Sequence, residues 1–179
     1  QRSCATSPER VHELFKESRE VLLNRGQSSV VPAGLDASED LAQLCYCIVR
    51  LQKPSTVVET GVGRGVTSCY ILSGLERNAK GRLYSIDLPL LRLGARQDVG
   101  NLVPSFLRSR WELTFGPGVR EMKKLHKRLP NIDMFLHDSD HSYLNQLREY
   151  QIALNWLRKG GILISHDVTN DAFLEVSEE

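Results

Sequence analysis

The chain has 179 residues, enough for one domain with a substantial core, and its composition shows no second block. Twenty-three basic residues against 22 acidic ones give a formal charge of +1, which argues against the extended phosphate-neutralising surface of a nucleic-acid binder. The four cysteines follow no metal or disulfide spacing, the apolar runs are too short for a bilayer, and no leader resembles a signal peptide, so a soluble protein of the cytoplasm is expected.

In chain order, residues 9–24 place Val11, Leu14, Phe15, Val21 and Leu22 at helical spacing between Pro8 and Gly26. A polar stretch with Gly and Pro reads as a loop to Ala37. Ser38 then stands where it can cap "EDLAQLCYCIVRLQ", whose first turn carries Glu39 and Asp40. After Pro54 the pattern becomes strand then helix: "STVVET", "GVTSCYILSGLERN", "GRLYSID", a mixed segment from Leu88 to Arg108, "WELTF", "VREMKKLHKRL" and "IDMFLHD". A helix is expected over 143–159, with Leu144, Leu147, Leu154 and Leu157 near one face, followed by a fifth strand, "GILISHD". Alternation of this kind, with strands apolar on both faces, predicts a doubly wound, Rossmann-like α/β fold with a parallel sheet in the order 3-2-1-4-5. A single domain over 1–179 is expected, with an N-terminal helix and loop over 1–37 and a cofactor-binding core over 38–179. The chain starts at Gln1 and ends in a helix-like "DAFLEVSEE", and further C-terminal strands are expected beyond it.

Ligands of such sheets bind outside the carboxyl ends of the strands. Glu59, Asp87, Phe115, Asp138 and Asp167 all fall at or near those ends. The first end carries "ETGVGRG", with Gly61, Gly63 and Gly65 one residue tighter than a dinucleotide fingerprint. A carboxylate at Glu59 would repel a pyrophosphate and suit an amino group. Asp87, ending the second strand, is placed for a ribose diol. The pair points to a nucleoside with an ammonium group and no phosphate. An NAD-dependent oxidoreductase and a non-catalytic nucleoside-binding domain are the alternatives.

"ETGVGRG" and "YSID" resemble the first two motifs of the class I S-adenosylmethionine-dependent methyltransferases, and the order of motifs carries the resemblance over roughly residues 38–168. The resemblance implies S-adenosylmethionine as cofactor, with Glu59 holding the methionine amino end through water. Thr60, Gly61 and Gly63 would line the cofactor, Asp87 would bind the ribose, and residues near Phe115 and Gly116 would approach the adenine.

"HDSDHSY" and "GGILISHDV" set Asp138, Asp140, His141, His166 and Asp167 at neighbouring strand ends. This order resembles a narrower group, the small-molecule O-methyltransferases of the catechol and caffeoyl type and their macrolide-sugar relatives. It implies a divalent metal (magnesium, manganese or zinc) on Asp138, His166 and Asp167, and a general base at His141, with Asp138 also serving the cofactor and the catalysis. A histidine at 166 weakens the case for magnesium, which prefers oxygen. The acceptor expected is a small hydroxylated metabolite, with no nucleic acid or membrane as partner and a homo-oligomer open. The basic run over 123–129 and the Cys45–Tyr46–Cys47 triplet read as a solvated helix face and a helix packing segment.

Overall fold

The computed structural model describes residues 7–24, 38–89 and 95–177, without the side chains of 22–24 and 95. The loop expected over residues 25–37, Cys4, residues 90–94 and the Leu22 side chain lie outside the described residues. Helix α1 (Pro8–Asn24) packs Leu14, Ser18 and Val21 inward and leaves Phe15 exposed. Helix α2 (Glu39–Gln52) starts as its sequence dictates: the Ser38 hydroxyl accepts from the Leu41 N–H at 3.3 Å, and Lys53 ends it in a left-handed turn.

Five parallel strands follow: β1 (Thr56–Thr60), β2 (Arg82–Asp87), β3 (Trp111–Phe115), β4 (Ile132–His137) and β5 (Leu157–Ser165). Their order is β3-β2-β1-β4-β5, as the alternation predicts. Between them run α3 (Val66–Arg77), the short α4 (Ala95–Asp98) with a 3-10 turn (Ser105–Arg110), α5 (Gly118–Arg128) and α6 (Tyr143–Trp156); α7 (Ala172–Ser177) comes last. Successive strand residues enter opposite cores. Val57, Leu83, Met134 and Leu136 join Tyr46, Tyr70 and Leu72 on one face, while Val58, Ile86 and Phe135 join Met122, Ala153 and Trp156 on the other.

The chain departs from the expected pattern at α6. The helix stops at Trp156 rather than running to residue 159, and β5 begins at Leu157 rather than Gly161. Trp156 is buried and donates Nε1–H to the Leu129 carbonyl at 2.8 Å, which pins the helix end. Leu157 already pairs with Ile132, and the register then shifts so that Met134 meets Ile162, with Gly160 taking φ 76° in the extra residues. The leucine face is also different. Leu144 and Leu154 are 58% and 43% exposed, and the buried stripe is Gln146, Glu149, Tyr150, Ala153 and Trp156. Polar groups can occupy such a stripe only with internal partners. Gln146 donates to the Asp167 carbonyl at 3.2 Å and accepts from Asn170 at 2.6 Å; the partners of Glu149 lie at the strand ends.

Candidate active site

At the end of β1 the chain must turn sharply past β4 and start α3. Gly61, Gly63 and Gly65 adopt φ of 80°, 53° and 90°, a region L-residues with side chains rarely occupy. Gly61 has a second constraint: a Cβ there would stand 1.9 Å from the Asp138 carbonyl oxygen. Asp87, the last residue of β2, accepts from the Val62 and Gly63 N–H groups through Oδ2 at 2.7 and 3.1 Å. The segment after α4 closes over the loop, with Gly100 N–H on the Gly63 carbonyl and Leu102 N–H on the Arg64 carbonyl, both at 3.0 Å. Phe115 lies under the Arg96 guanidinium, 5.2 Å from ring centre to Cζ, and the Gly116 N–H donates to the Asp87 carbonyl at 2.9 Å.

Glu59 is fully buried on the α3 side of the sheet. Its Oε2 accepts from Ser68 and Ser85 hydroxyls at 2.6 and 2.7 Å, and Oε1 has no hydrogen-bond partner among the described residues. Burial pushes its carboxyl up to about 7, against the lowering effect of the two serines. Thr60 turns the other way and donates its hydroxyl to Glu149 at 2.6 Å. Of the cofactor residues expected, Gly61 and Gly63 therefore form the loop itself, Asp87 holds it from the end of β2, and the Glu59 and Thr60 side chains lie beneath it.

The other half of the site stands on β4 and β5. The Asp138 N–H donates to the Thr60 carbonyl at 2.8 Å, and the His166 N–H to the His137 carbonyl at 2.9 Å, so both residues follow directly from strand pairing. His166 Nδ1 is 2.9 Å from Asp138 Oδ1 without the angles of a hydrogen bond, and His141 Nε2 is 3.7 Å from the same oxygen. One ligand atom from each of Asp138, His141 and His166 lies within 4.8 Å of the other two. That set contains His141 in place of the expected Asp167. Asp167 flanks it, 3.7 Å from His141 Nδ1 and 3.5 Å from His166 Nε2, on a backbone turned to φ 48°. Asp140 instead turns toward the start of α6, accepting from the Ser142 N–H at 3.0 Å and its hydroxyl at 3.1 Å. Burial raises the Asp138 carboxyl to about 6, opposed by His166, and burial lowers the His141 imidazole below its ordinary value. A neutral imidazole between two carboxylates can take a proton from a hydroxyl, and two nitrogens with one oxygen can hold a divalent ion.

Two residues at this wall are absent from the sequence-level site. Glu149 and His137 are buried and face each other at 2.8 Å. The sequence signal is a histidine that follows the apolar run Met134, Phe135, Leu136 at the end of the strand.

The methyltransferase domain family matches residues 58–168. The chain belongs to that family. No curated protein matches it significantly. Among solved structures, this methyltransferase is similar to the O-methyltransferase from Bacillus cereus in complex with SAH, at 17% identity and a TM-score of 0.64 over 99% of this chain and 74% of that one. It is likewise similar to the O-methyltransferase TomG from Streptomyces achromogenes, involved in tomaymycin synthesis and solved with SAM, at 16% identity and a TM-score of 0.63 over 98% and 78% of the two chains. At these identities the likeness is one of fold, and it agrees with the Rossmann-like strand order. No helix among the described residues is long and apolar enough to cross a membrane.

Proposed function

We propose that this methyltransferase transfers the methyl group of S-adenosylmethionine to a hydroxyl oxygen of a small metabolite. The observation that carries it is the place of Asp138: its backbone abuts Gly61 of the glycine loop, and its carboxylate is the centre of the histidine cluster. An acceptor at the cluster therefore lies next to whatever the loop holds. The residues fit the cofactor. Glu59 keeps an oxygen without a partner among the described residues for the methionine amino end, reached through water, and Asp87 has a second carboxylate oxygen for the ribose. The tighter glycine spacing and the acid at 59 speak against the pyrophosphate of NAD.

When bound, the cofactor supplies an electrophilic methyl on sulfur. The chain's own residues orient the acceptor, exclude water and accept its proton at His141, with Asp138 and Asp167 beside the ring to stabilise the cation that results. A second reading has its own observation: His141 Nε2 and His166 Nδ1 are buried next to Asp138 without hydrogen-bond partners among the described residues. A divalent ion would be held by Asp138, His141 and His166, in place of the expected set with Asp167, and would lower the acceptor's pKa as a Lewis acid. Two imidazoles favour manganese or zinc over magnesium.

The proposed setting is a single cytoplasmic domain, with 38–179 as its cofactor-binding core, acting on small molecules rather than nucleic acid, as a monomer or a homo-oligomer. Incubation with S-adenosylmethionine and a panel of sugars, polyketides and phenols, followed by mass detection of S-adenosylhomocysteine and a +14 Da product, tests it. Cofactor binding without turnover on any member would favour a binding module. Salt-sensitive, low-micromolar tRNA binding lost on changing Lys123 and Lys124 would move the acceptor class to RNA.

A further inference from the structure

Beneath the acid and histidine cluster lies a second polar group that methyl transfer leaves unused. Glu149, fully enclosed on α6, accepts from the Thr60 hydroxyl at 2.6 Å, from the Ser139 hydroxyl at 3.1 and 3.2 Å and from the Asn145 amide at 3.4 Å, and it faces His137 Nδ1 at 2.8 Å. A carboxylate stripped of water is costly unless bonds of this kind replace its hydration. Gly118 makes room for it, since a Cβ there would stand 2.0 Å from Glu149 Oε1.

The position of its partners gives the network a purpose. Thr60 immediately precedes Gly61 and His137 immediately precedes Asp138, the two residues whose backbones touch where the halves of the site meet. The His137 ring adds an independent observation. Its Nδ1 faces the carboxylate, and its Nε2 is buried without a hydrogen-bond partner among the described residues. The ring stands edge-on to His141, 5.6 Å between centroids.

We infer that Glu149 is a positioning residue that ties the cofactor loop to the acid and histidine cluster, holding the loop's base through Thr60 and fixing His137 as the Nδ1–H tautomer at the cluster's wall. It touches neither cofactor nor acceptor. The part concerning the loop rests on the proposed cofactor; the part concerning His137 does not.

The test uses the full chain with nitrogen-15-labelled histidine at pH 7.5. Two-bond proton–nitrogen spectra are recorded with and without S-adenosylhomocysteine, alongside calorimetry and thermal melts of wild type, Glu149→Gln and Thr60→Val. His137 in wild type should carry its proton on Nδ1. In Glu149→Gln the amide donates to the ring and the proton should move to Nε2. Affinity for S-adenosylhomocysteine should fall about tenfold in Glu149→Gln and about threefold in Thr60→Val, with both variants folded. Binding should displace the His137 ring signals in wild type and leave them in place in Glu149→Gln. A wild-type ring protonated at Nε2, or folded variants that bind within about twofold of wild type, would overturn the inference. If Glu149→Gln does not fold, the wild-type spectrum decides the tautomer and Thr60→Val decides the tie to the loop. If wild type itself ignores S-adenosylhomocysteine, the cofactor assignment fails, and an unchanged tautomer in Glu149→Gln would then sink the His137 part separately.

Discussion

The ends of β1 and β2 and the ends of β4 and β5 are built on opposite plans. At the first pair the backbone makes the site, and the acids serve the backbone: Asp87 holds two N–H groups of the loop, and Glu59 is spent on two serines beneath it. At the second pair the side chains make the site, and several lack partners among the described residues, with His141 Nε2 and His166 Nδ1 crowded on Asp138 in no hydrogen-bond geometry. A region whose acids are turned onto its own loop and serines presents a shape; a region that crowds two imidazoles on one carboxylate presents chemistry.

The difference is sharpest where one substitution should ruin the first plan. Gly61→Ala places a methyl into the Asp138 carbonyl on a backbone at φ 80°. A loss of about 2–4 kcal/mol of stability, read as a drop of roughly 5–15 °C in the thermal midpoint, should accompany loss of cofactor binding. An alanine variant with unchanged melting and binding would show that the turn can relax.

Breaking the second plan should spare the fold. Asp138→Asn removes the charge on which both histidines converge, and methyl transfer should fall by about 100-fold or more while S-adenosylhomocysteine binds within about threefold of wild type. Dialysis against EDTA with add-back of manganese, zinc and magnesium then separates the two uses of His141. Full activity after verified metal removal leaves His141 as base; loss restored best by manganese or zinc makes it a ligand.

Glu59 tests whether an acid held by two serines through one oxygen still serves the ligand. Its carboxyl holds a proton up to about pH 7 in the folded chain, against 4.5 as its ordinary value. The folded state therefore binds more protons than the unfolded one across that window, and this group's effect on stability grows less favourable as pH rises from 4.5 to about 7. Glu59→Gln should flatten that slope, as melts from pH 5 to 8 would reveal. If the ionised carboxylate receives the methionine amino end, wild-type affinity should instead rise about tenfold between pH 6 and 8, and the glutamine variant should lose the rise.

Much of the first plan was legible in the sequence. A β-branched run into alternating glycines dictates strand, turn and helix, and acids at strand ends need only the parallel topology to converge. The α6 stripe was not legible. Residues 146, 149, 150, 153 and 156 have helical spacing as good as that of the leucines, but Gln146 and Glu149 count as polar until their partners on β1, β4 and the loop after β5 are known. The approach of His141 to Asp138 and His166 was hidden for a related reason: the turn to φ 48° at residue 167 is set by the fold around it and leaves no local signature.

The smallest effect follows from that stripe. Leu144→Ala and Leu154→Ala remove exposed side chains and should change stability by no more than about 0.5 kcal/mol each in urea unfolding, whereas Trp156→Ala should cost about 3–5 kcal/mol. A large loss at either leucine would mean that another surface covers it.

Calorimetry of the purified chain with S-adenosylhomocysteine and with NAD, side by side, tests the proposed function most directly. Saturable micromolar binding of S-adenosylhomocysteine, abolished in Gly61→Ala and absent with NAD, is the predicted result. Tight NAD binding with no heat from S-adenosylhomocysteine would contradict it, and would hand the glycine loop to a pyrophosphate.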